Sequence, residues 1–334
     1  WLSTLDEKRE AGEILYDLAI VENRASQAHK AFIVLAIPQY EETFLPNFRN
    51  GDVVVLYERN KDTDNVTNKM VFKGNIESIT DSELRIRLRA SQRNPLVFPE
   101  NSRYAVEHDT MDTTFRSMYL GLSSFMDANP ERRDLLLGQR PPRFDTAYEN
   151  RIACATDDFE RVALKAVAAR DYFLLVGPPG TGKTSRALRR MVEHFYACPS
   201  MQILLLAYTN RAVDEICQSL SSIRPQVDYI RVGSELSCDA RFRKHLLENV
   251  LSECNNRREV NIRMADCRIY VGTVASIASK SELFKLKHFD VAIVDEATQI
   301  LEPQLLGVLC ARFKDGRNGI GKFILIGDHK QLPA

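Results

Sequence analysis

The feature that most constrains this chain is the run Gly177-Pro178-Pro179-Gly180-Thr181-Gly182-Lys183-Thr184. It meets the pattern G-x-x-x-x-G-K-[ST] at every fixed position. An apolar run, Phe173-Leu174-Leu175-Val176, enters it, and Ala187, Leu188, Met191 and Val192 leave it at helical spacing. Strand, glycine-rich loop and helix in that order make a phosphate cradle. Gly177, Gly180 and Gly182 let backbone N–H groups face phosphate oxygens, and the helix N-terminus adds a partial positive charge. In such a cradle Lys183 meets the β- and γ-phosphates and Thr184 sets its hydroxyl on Mg²⁺. Pro179, Thr181 and Ser185 complete the candidate contacts.

From Asp171 onward strand and helix patterns alternate, which predicts an α/β fold with a doubly wound parallel sheet. The expected strands are 172–176, 202–207, 227–232, 267–272, 290–294 and 322–327. Continuous apolar runs such as Ile203-Leu204-Leu205-Leu206 and Val291-Ala292-Ile293-Val294 suit strands buried on both faces. Ligands of such sheets sit at the carboxyl ends of the strands, and the polar residues cluster there. Strand 290–294 runs into Asp295-Glu296-Ala297-Thr298-Gln299. Asp295 there suits a Mg²⁺ ligand and Glu296 a group that orients and deprotonates water. Strand 322–327 runs into Asp328-His329-Lys330-Gln331, where Asp328 and Gln331 reach toward a γ-phosphate. Spacing alone leaves that stretch equally readable as a polar loop. Thr209 and Asn210 follow strand 202–207, and Thr273 and Ser276 follow 267–272. Those loops suit sugar–phosphate contacts, or equally N-caps by Asn210 and Ser276. In the helix after Asn210, the core face takes Val213, Ile216, Cys217 and Leu220, so Asp214 and Glu215 are expected to point outward.

Ahead of this lies a region of different character. Residues 2–30 read as one long stalk helix, with Ile14, Leu18, Val21 and Ala25 on one face. Short strand patterns over 31–108 predict a small β-barrel. Within it Leu84, Ile86 and Leu88 alternate with Arg85, Arg87 and Arg89, and the arginines suit either a nucleic-acid path or a solvated face. Helices at 111–127 and 130–138 and a linker fill 109–150, with a boundary expected near 140–150 and the main sheet domain at 151–334. Residues 234–265 read as a charged, mostly helical insertion. Lys+Arg and Asp+Glu are both 45, so no global basic signal marks a nucleic-acid partner. The seven cysteines are scattered without a C-x-x-C pair, which argues against a zinc site or a disulfide framework. No apolar run suits a membrane span, and a reducing compartment is expected: the cytoplasm, or the nucleus in a eukaryote. The first residue is Trp1, not Met, and the chain reads as a piece of a longer protein.

The ordered set GPPGTGKT, AYTNRAVDEI, VGTVAS, DEATQ and GDHKQLPA resembles the first RecA-like motor domain of superfamily-1 helicases. Within that superfamily it is similar to the 5′-to-3′ subgroup containing the nonsense-mediated-decay helicase and the helicase–nuclease of Okazaki-fragment processing. The resemblance covers about 157–334. It reaches less specifically into the preceding region, where that subgroup carries a helical stalk and a small barrel. It implies ATP and Mg²⁺ as cofactors, single-stranded DNA or RNA as partner, and a monomer. It also implies a second motor domain in the longer protein. By position it implies Gln299 near the nucleotide, Asp328 and Gln331 as the coupling motif, and Thr209, Asn210, Thr273 and Ser276 at the strand's backbone.

Two departures stand out. The family usually carries an adenine-reading glutamine ahead of the phosphate loop, whereas no Gln occurs between Gln139 and Gln202, and Phe159 or Glu160 falls at that place. The sequence also stops at the third motif, so the second motor domain and its arginine finger are not in it. Two alternatives use the same phosphate loop: a ring-forming AAA+ ATPase, and a nucleic-acid clamp that binds ATP as a switch.

Overall fold

The computed structural model describes residues 3–27, 31–41, 43–99, 101–109 and 113–331, in two compact units, Trp1–Asp112 and Thr113–Ala334. The first unit is a closed barrel of six antiparallel strands: β1 (Ile14–Asn23), β2 (Phe32–Ala36), β3 (Val53–Glu58), β4 (Val71–Ile79), β5 (Glu83–Leu88) and β6 (Tyr104–His108), closed in the order β1-β2-β5-β4-β3-β6. Closure leaves no free sheet edge. Leu15, Leu18, Ile33, Leu35, Leu56, Ile76, Leu84 and Ile86 fill its interior.

The stalk helix expected over residues 2–30 is not there. A short helix, Leu5–Glu10, starts at a Thr4–Glu7 capping box and ends before Gly12. Gly12 has a φ of 69°, and a Cβ there would lie 2.5 Å from the Leu45 carbonyl oxygen, so only glycine fits. The chain then becomes β1. The register slips between Leu15 and Leu18, where Asp17 takes a φ of 54°, and slips again between Ile20 and Glu22. An irregularity of this kind adds a residue to a strand. The apolar residues at helical spacing share no face: Ile14 packs with Tyr57 and Ala105, Leu18 and Ala25 belong to the barrel core, and Val21 is exposed. The barrel therefore begins at Ile14 rather than Ala31. Residues 28–30 lie outside the described residues.

The alternation in β5 holds. Leu84, Ile86 and Leu88 are buried, and the arginine face is largely occupied. Arg85 and Arg87 both pair with Glu77, and Arg85 also lies 3.7 Å from the centre of the Phe32 ring.

The second unit contains six parallel strands: β7 (Tyr172–Val176), β8 (Ile203–Ala207), β9 (Tyr229–Val232), β10 (Ile269–Thr273), β11 (Phe289–Val294) and β12 (Ile320–Gly327). Their order is β7-β12-β11-β8-β10-β9. Alternate residues feed two cores. Ile203, Leu205, Val271, Ile293 and Ile324 meet the helices at 158–168, 189–196 and 210–220. Leu204, Leu206, Tyr270, Ala292, Val294 and Phe323 meet the helices at 274–278 and 302–309. This two-sided burial explains the unbroken apolar runs.

Helices Thr113–Met126 and Pro130–Leu136 belong to this unit, so the boundary falls at 112/113 and not near 140–150. Phe125, Ala128 and Leu136 pack with Leu306 and Cys310. Buried Arg132 donates to the carbonyls of Ile320 and Gly321 at 2.6 and 3.0 Å. Arg140 and Arg143 both grip Asp171 at the start of β7. Residues 235–266 form short helical turns and two helices, Leu247–Ser252 and Arg257–Asp266.

Candidate active site

The carboxyl ends of β7, β11 and β12 meet the loop after β7 around an open cavity of about 460 Å³. Pro179, Gly180, Gly182, Lys183, Thr184 and Ser185 line one side. Asp295, Glu296, Gln299, Asp328 and Gln331 line the other, so residues from three separate motifs converge. Gly180 and Gly182 have φ values of 76° and 80°, the left-handed region that this loop needs and glycine adopts freely. The Thr181 hydroxyl donates to the Pro178 carbonyl at 2.8 Å, bracing the loop from within. Lys183 Nζ donates to the carbonyls of Gly177 and Pro178. Thr181 and Gly177 thus shape the loop and do not line the cavity. After Gly182 the helix opens on a wide turn, with Ala187 N–H reaching back five residues to the Gly182 carbonyl. Such turns recur at functional sites.

Asp295 is buried at the end of β11, where its backbone N–H donates to the Leu206 carbonyl. Its Oδ2 accepts from the Thr184 hydroxyl at 2.5 Å, and its Oδ1 accepts from the Glu296 N–H at 3.0 Å. Burial pushes the Asp295 carboxyl up, opposed by the Thr184 hydrogen bond. Glu296 sits in a left-handed conformation, φ 52° and ψ 34°, unusual for a residue with a side chain. Its carboxyl is also raised, first by burial, then by the charges of Asp295 and Glu215, with Arg211 opposing. Thr298 ties the second and third motifs together: its hydroxyl accepts from the Asp328 N–H at 3.3 Å. Asp328 in turn accepts from the Lys330 N–H through Oδ1 and from the Gln331 N–H through its carbonyl, a tight turn that places Gln331 at the cavity. Leu332, Pro333 and Ala334 of this motif lie outside the described residues.

Thr209, Asn210, Thr273 and Ser276 do not line this cavity. They lie at the carboxyl ends of β8 and β10. The caps there are Thr209 and Thr273, not Asn210 and Ser276. Thr209 accepts from the Ala212 N–H at 3.1 Å, and buried Thr273 accepts from the Ser276 N–H at 3.0 Å. The Thr273 hydroxyl also donates to that of Ser276 at 2.7 Å. Phe159 and Glu160 stay out of the cavity as well. Phe159 lies under the Arg186 guanidinium, 4.4 Å from the ring centre, and Glu160 pairs with His194 and Arg190.

Three cavity residues escaped the sequence reading: Glu215, Thr298 and Gly327. Glu215 was expected to face outward. It does belong to the polar side of its helix, but that side borders the cavity. Asp214 turns inward instead and pairs with buried Arg231.

A family of AAA domains, AAA_11, matches residues 156–267 and 255–334, more than half of the chain. The chain belongs to this family. This AAA_11 chain is 26% identical over 352 residues to the DNA replication ATP-dependent helicase/nuclease DNA2 of Bos taurus, covering 100% of this chain and 31% of that one. The protein of the same name in Gallus gallus is 30% identical over 257 residues, 72% of this chain and 25% of that one. The chain thus spans less than a third of the length of either relative. Both carry the name of a helicase, and the resemblance to the first motor domain of superfamily-1 helicases stands. The UvsW helicase from Bacteriophage T4 superposes over 55% of this chain and 59% of its own at a TM-score of 0.36 and 11% identity, too distant to bear on the argument. Among the described residues, no helix is long and apolar enough to cross a membrane.

Proposed function

We propose that this chain is the ATP-binding half of a helicase motor that moves along single-stranded nucleic acid. The observation that carries the reading is the convergence of three motifs on one cavity: the 177–184 loop, Asp295-Glu296 and Asp328–Gln331. ATP is the nucleotide implied by the names of the relatives. The donor set suits Mg²⁺, because the Thr184 hydroxyl and the Asp295 carboxylate already touch, and both are hard oxygen ligands. When bound, the ion would be held by Thr184 and Asp295 and would neutralise phosphate charge.

The chain's own residues then divide the work. Lys183 exchanges the carbonyls of Gly177 and Pro178 for phosphate oxygens. Glu296 holds a water and accepts its proton. Gln299 borders the nucleotide, and Asp328 and Gln331 sense the terminal phosphate. The ends of β8 and β10, with Thr209, Asn210, Thr273 and Ser276, hold the strand's backbone. We assign the strand as DNA, following the names of both relatives, and a second motor domain as the opposing wall of the nucleotide site. The protein acts as a monomer in the cytoplasm, or in the nucleus of a eukaryote.

The test is nucleotide turnover by the whole protein with and without single-stranded DNA or RNA. Turnover stimulated by the strand is expected, stronger with DNA. Lys183→Ala should abolish nucleotide binding, and Glu296→Gln should bind nucleotide but lower turnover by at least about 100-fold. Unchanged turnover in either variant removes the assignment.

A further inference from the structure

Glu215 and Arg211 stand one turn apart on the helix Asn210–Leu220, with Arg211 Nε 3.6 Å from Glu215 Oε1. The two ends of this pair face different places. Glu215 lines the cavity beside Thr184, Asp295 and Glu296. Arg211 follows Asn210 at the helix N-terminus, and its side chain is 91% exposed. The Ser219 hydroxyl of the same helix donates to the Thr184 carbonyl at 3.2 Å, so the helix is bound directly to the phosphate-loop helix.

We infer that the Arg211–Glu215 pair is the electrostatic link by which a nucleic-acid strand at the end of β8 alters metal–nucleotide binding in the cavity. The inference rests on the functional reading above. Arg211 is the nearest guanidinium to the Thr209-Asn210 loop in sequence, and its exposure leaves it open to a phosphate of a passing strand. A guanidinium that pairs with phosphate no longer neutralises Glu215. The Glu215 charge then acts on the cavity unopposed, where a divalent cation between Thr184 and Asp295 is the species it attracts. The coupling is reciprocal, so nucleotide with metal also tightens the hold on the strand.

The experiment measures binding, not turnover. A fluorescent ATP analogue is titrated with Mg²⁺ in the presence of the 334-residue chain, with and without saturating single-stranded DNA. Each ligand is first titrated alone. In the wild type, the strand is expected to lower the half-saturating Mg²⁺ concentration about fivefold, the low end of typical couplings for so exposed a pair. Arg211→Gln, Glu215→Gln and the double variant should all lose this shift, the double no more than either single. A full shift retained in the variants overturns the inference. So does a wild type that binds both ligands without any shift. A wild type that binds neither ligand alone defeats the functional reading itself, and the preliminary titrations separate that outcome from the other two.

Discussion

Arg231 shows what a single residue demands of this fold. It is a full-length guanidinium in the middle of β9 and only 1% exposed. Its Nη1 donates to Asp214 Oδ1 and its Nη2 to the Ser237 carbonyl at 3.4 Å, with Cys217, Cys238 and Tyr229 around it. A buried charge persists only with a partner, so Asp214 has to face inward. Asp214→Ala is therefore expected to destabilise the protein by about 3–5 kcal/mol, the usual cost of leaving one member of a buried pair alone. Replacing both, with Arg231→Met and Asp214→Leu, should recover much of that loss. Chemical denaturation of the two variants and the wild type measures it; a single variant within about 0.5 kcal/mol of wild type contradicts the pair's role. Glu296 also carries backbone strain. A left-handed backbone in a residue with a side chain costs about 1–3 kcal/mol and persists at functional sites when neighbours hold it. Here the Asp295 carboxylate accepts the Glu296 N–H and holds that turn.

At the scale of elements, β12 and the helix Asp158–Ala168 are joined by Lys322. Its Nζ donates to the carbonyls of Ala166, Val167 and Ala169 at 3.0, 2.8 and 2.8 Å. These are the last carbonyls of the helix, which no backbone N–H of the helix reaches. Burial nonetheless pushes the ammonium down to about 8. Below pH 8 the lysine is charged in both the folded and the unfolded chain, and the cost of burying it is fully present. Between about 8 and 10.4 the folded chain releases the proton while the unfolded chain keeps it, so stability from this group rises with pH. Relative to Lys322→Met, wild type should gain up to about 3 kcal/mol across that window. Denaturation of both proteins from pH 7 to 10.5 reads the difference, and a flat difference would show that the three carbonyls hold the ammonium at its ordinary pKa.

At the scale of the whole chain, two units each carry their own core. The barrel closes on Leu15, Ile33, Leu56, Ile76 and Ile86, and the sheet unit buries both faces of β8, β10 and β11. A closed barrel with a continuous interior needs no neighbour to satisfy its strands. Residues 1–112 and 113–334, expressed separately, are each expected to unfold in one cooperative transition. Calorimetry of the two pieces tests this, and a piece without a transition shows that its core depends on the other. Cutting instead near 140–150 would separate Arg140 and Arg143 from Asp171 and strip the preceding helices from Leu306 and Cys310, so that division should give an unfolded product.

Much of this molecule was written locally. The 177–184 loop, the apolar runs of β8 and β11, and Asp295-Glu296 at the end of β11 were all legible, because a buried parallel strand needs unbroken apolar residues and a phosphate turn needs glycine. Both requirements fall within a few neighbouring positions. Tertiary structure decided what depends on distant partners. The strand order set which loops share the cavity, and so brought Gln331 beside Lys183 while leaving Thr273 elsewhere. The helical spacing of apolar residues in β1 did not mark a shared face, because which of them are buried is set by β2 and β6, the strands it pairs with. Asp214 and Glu215 are adjacent and chemically alike, yet one enters a core and the other borders the cavity. Nothing in their own sequence separates them. Arg231, seventeen positions further on, claims one of them, and the phosphate loop lies beside the other.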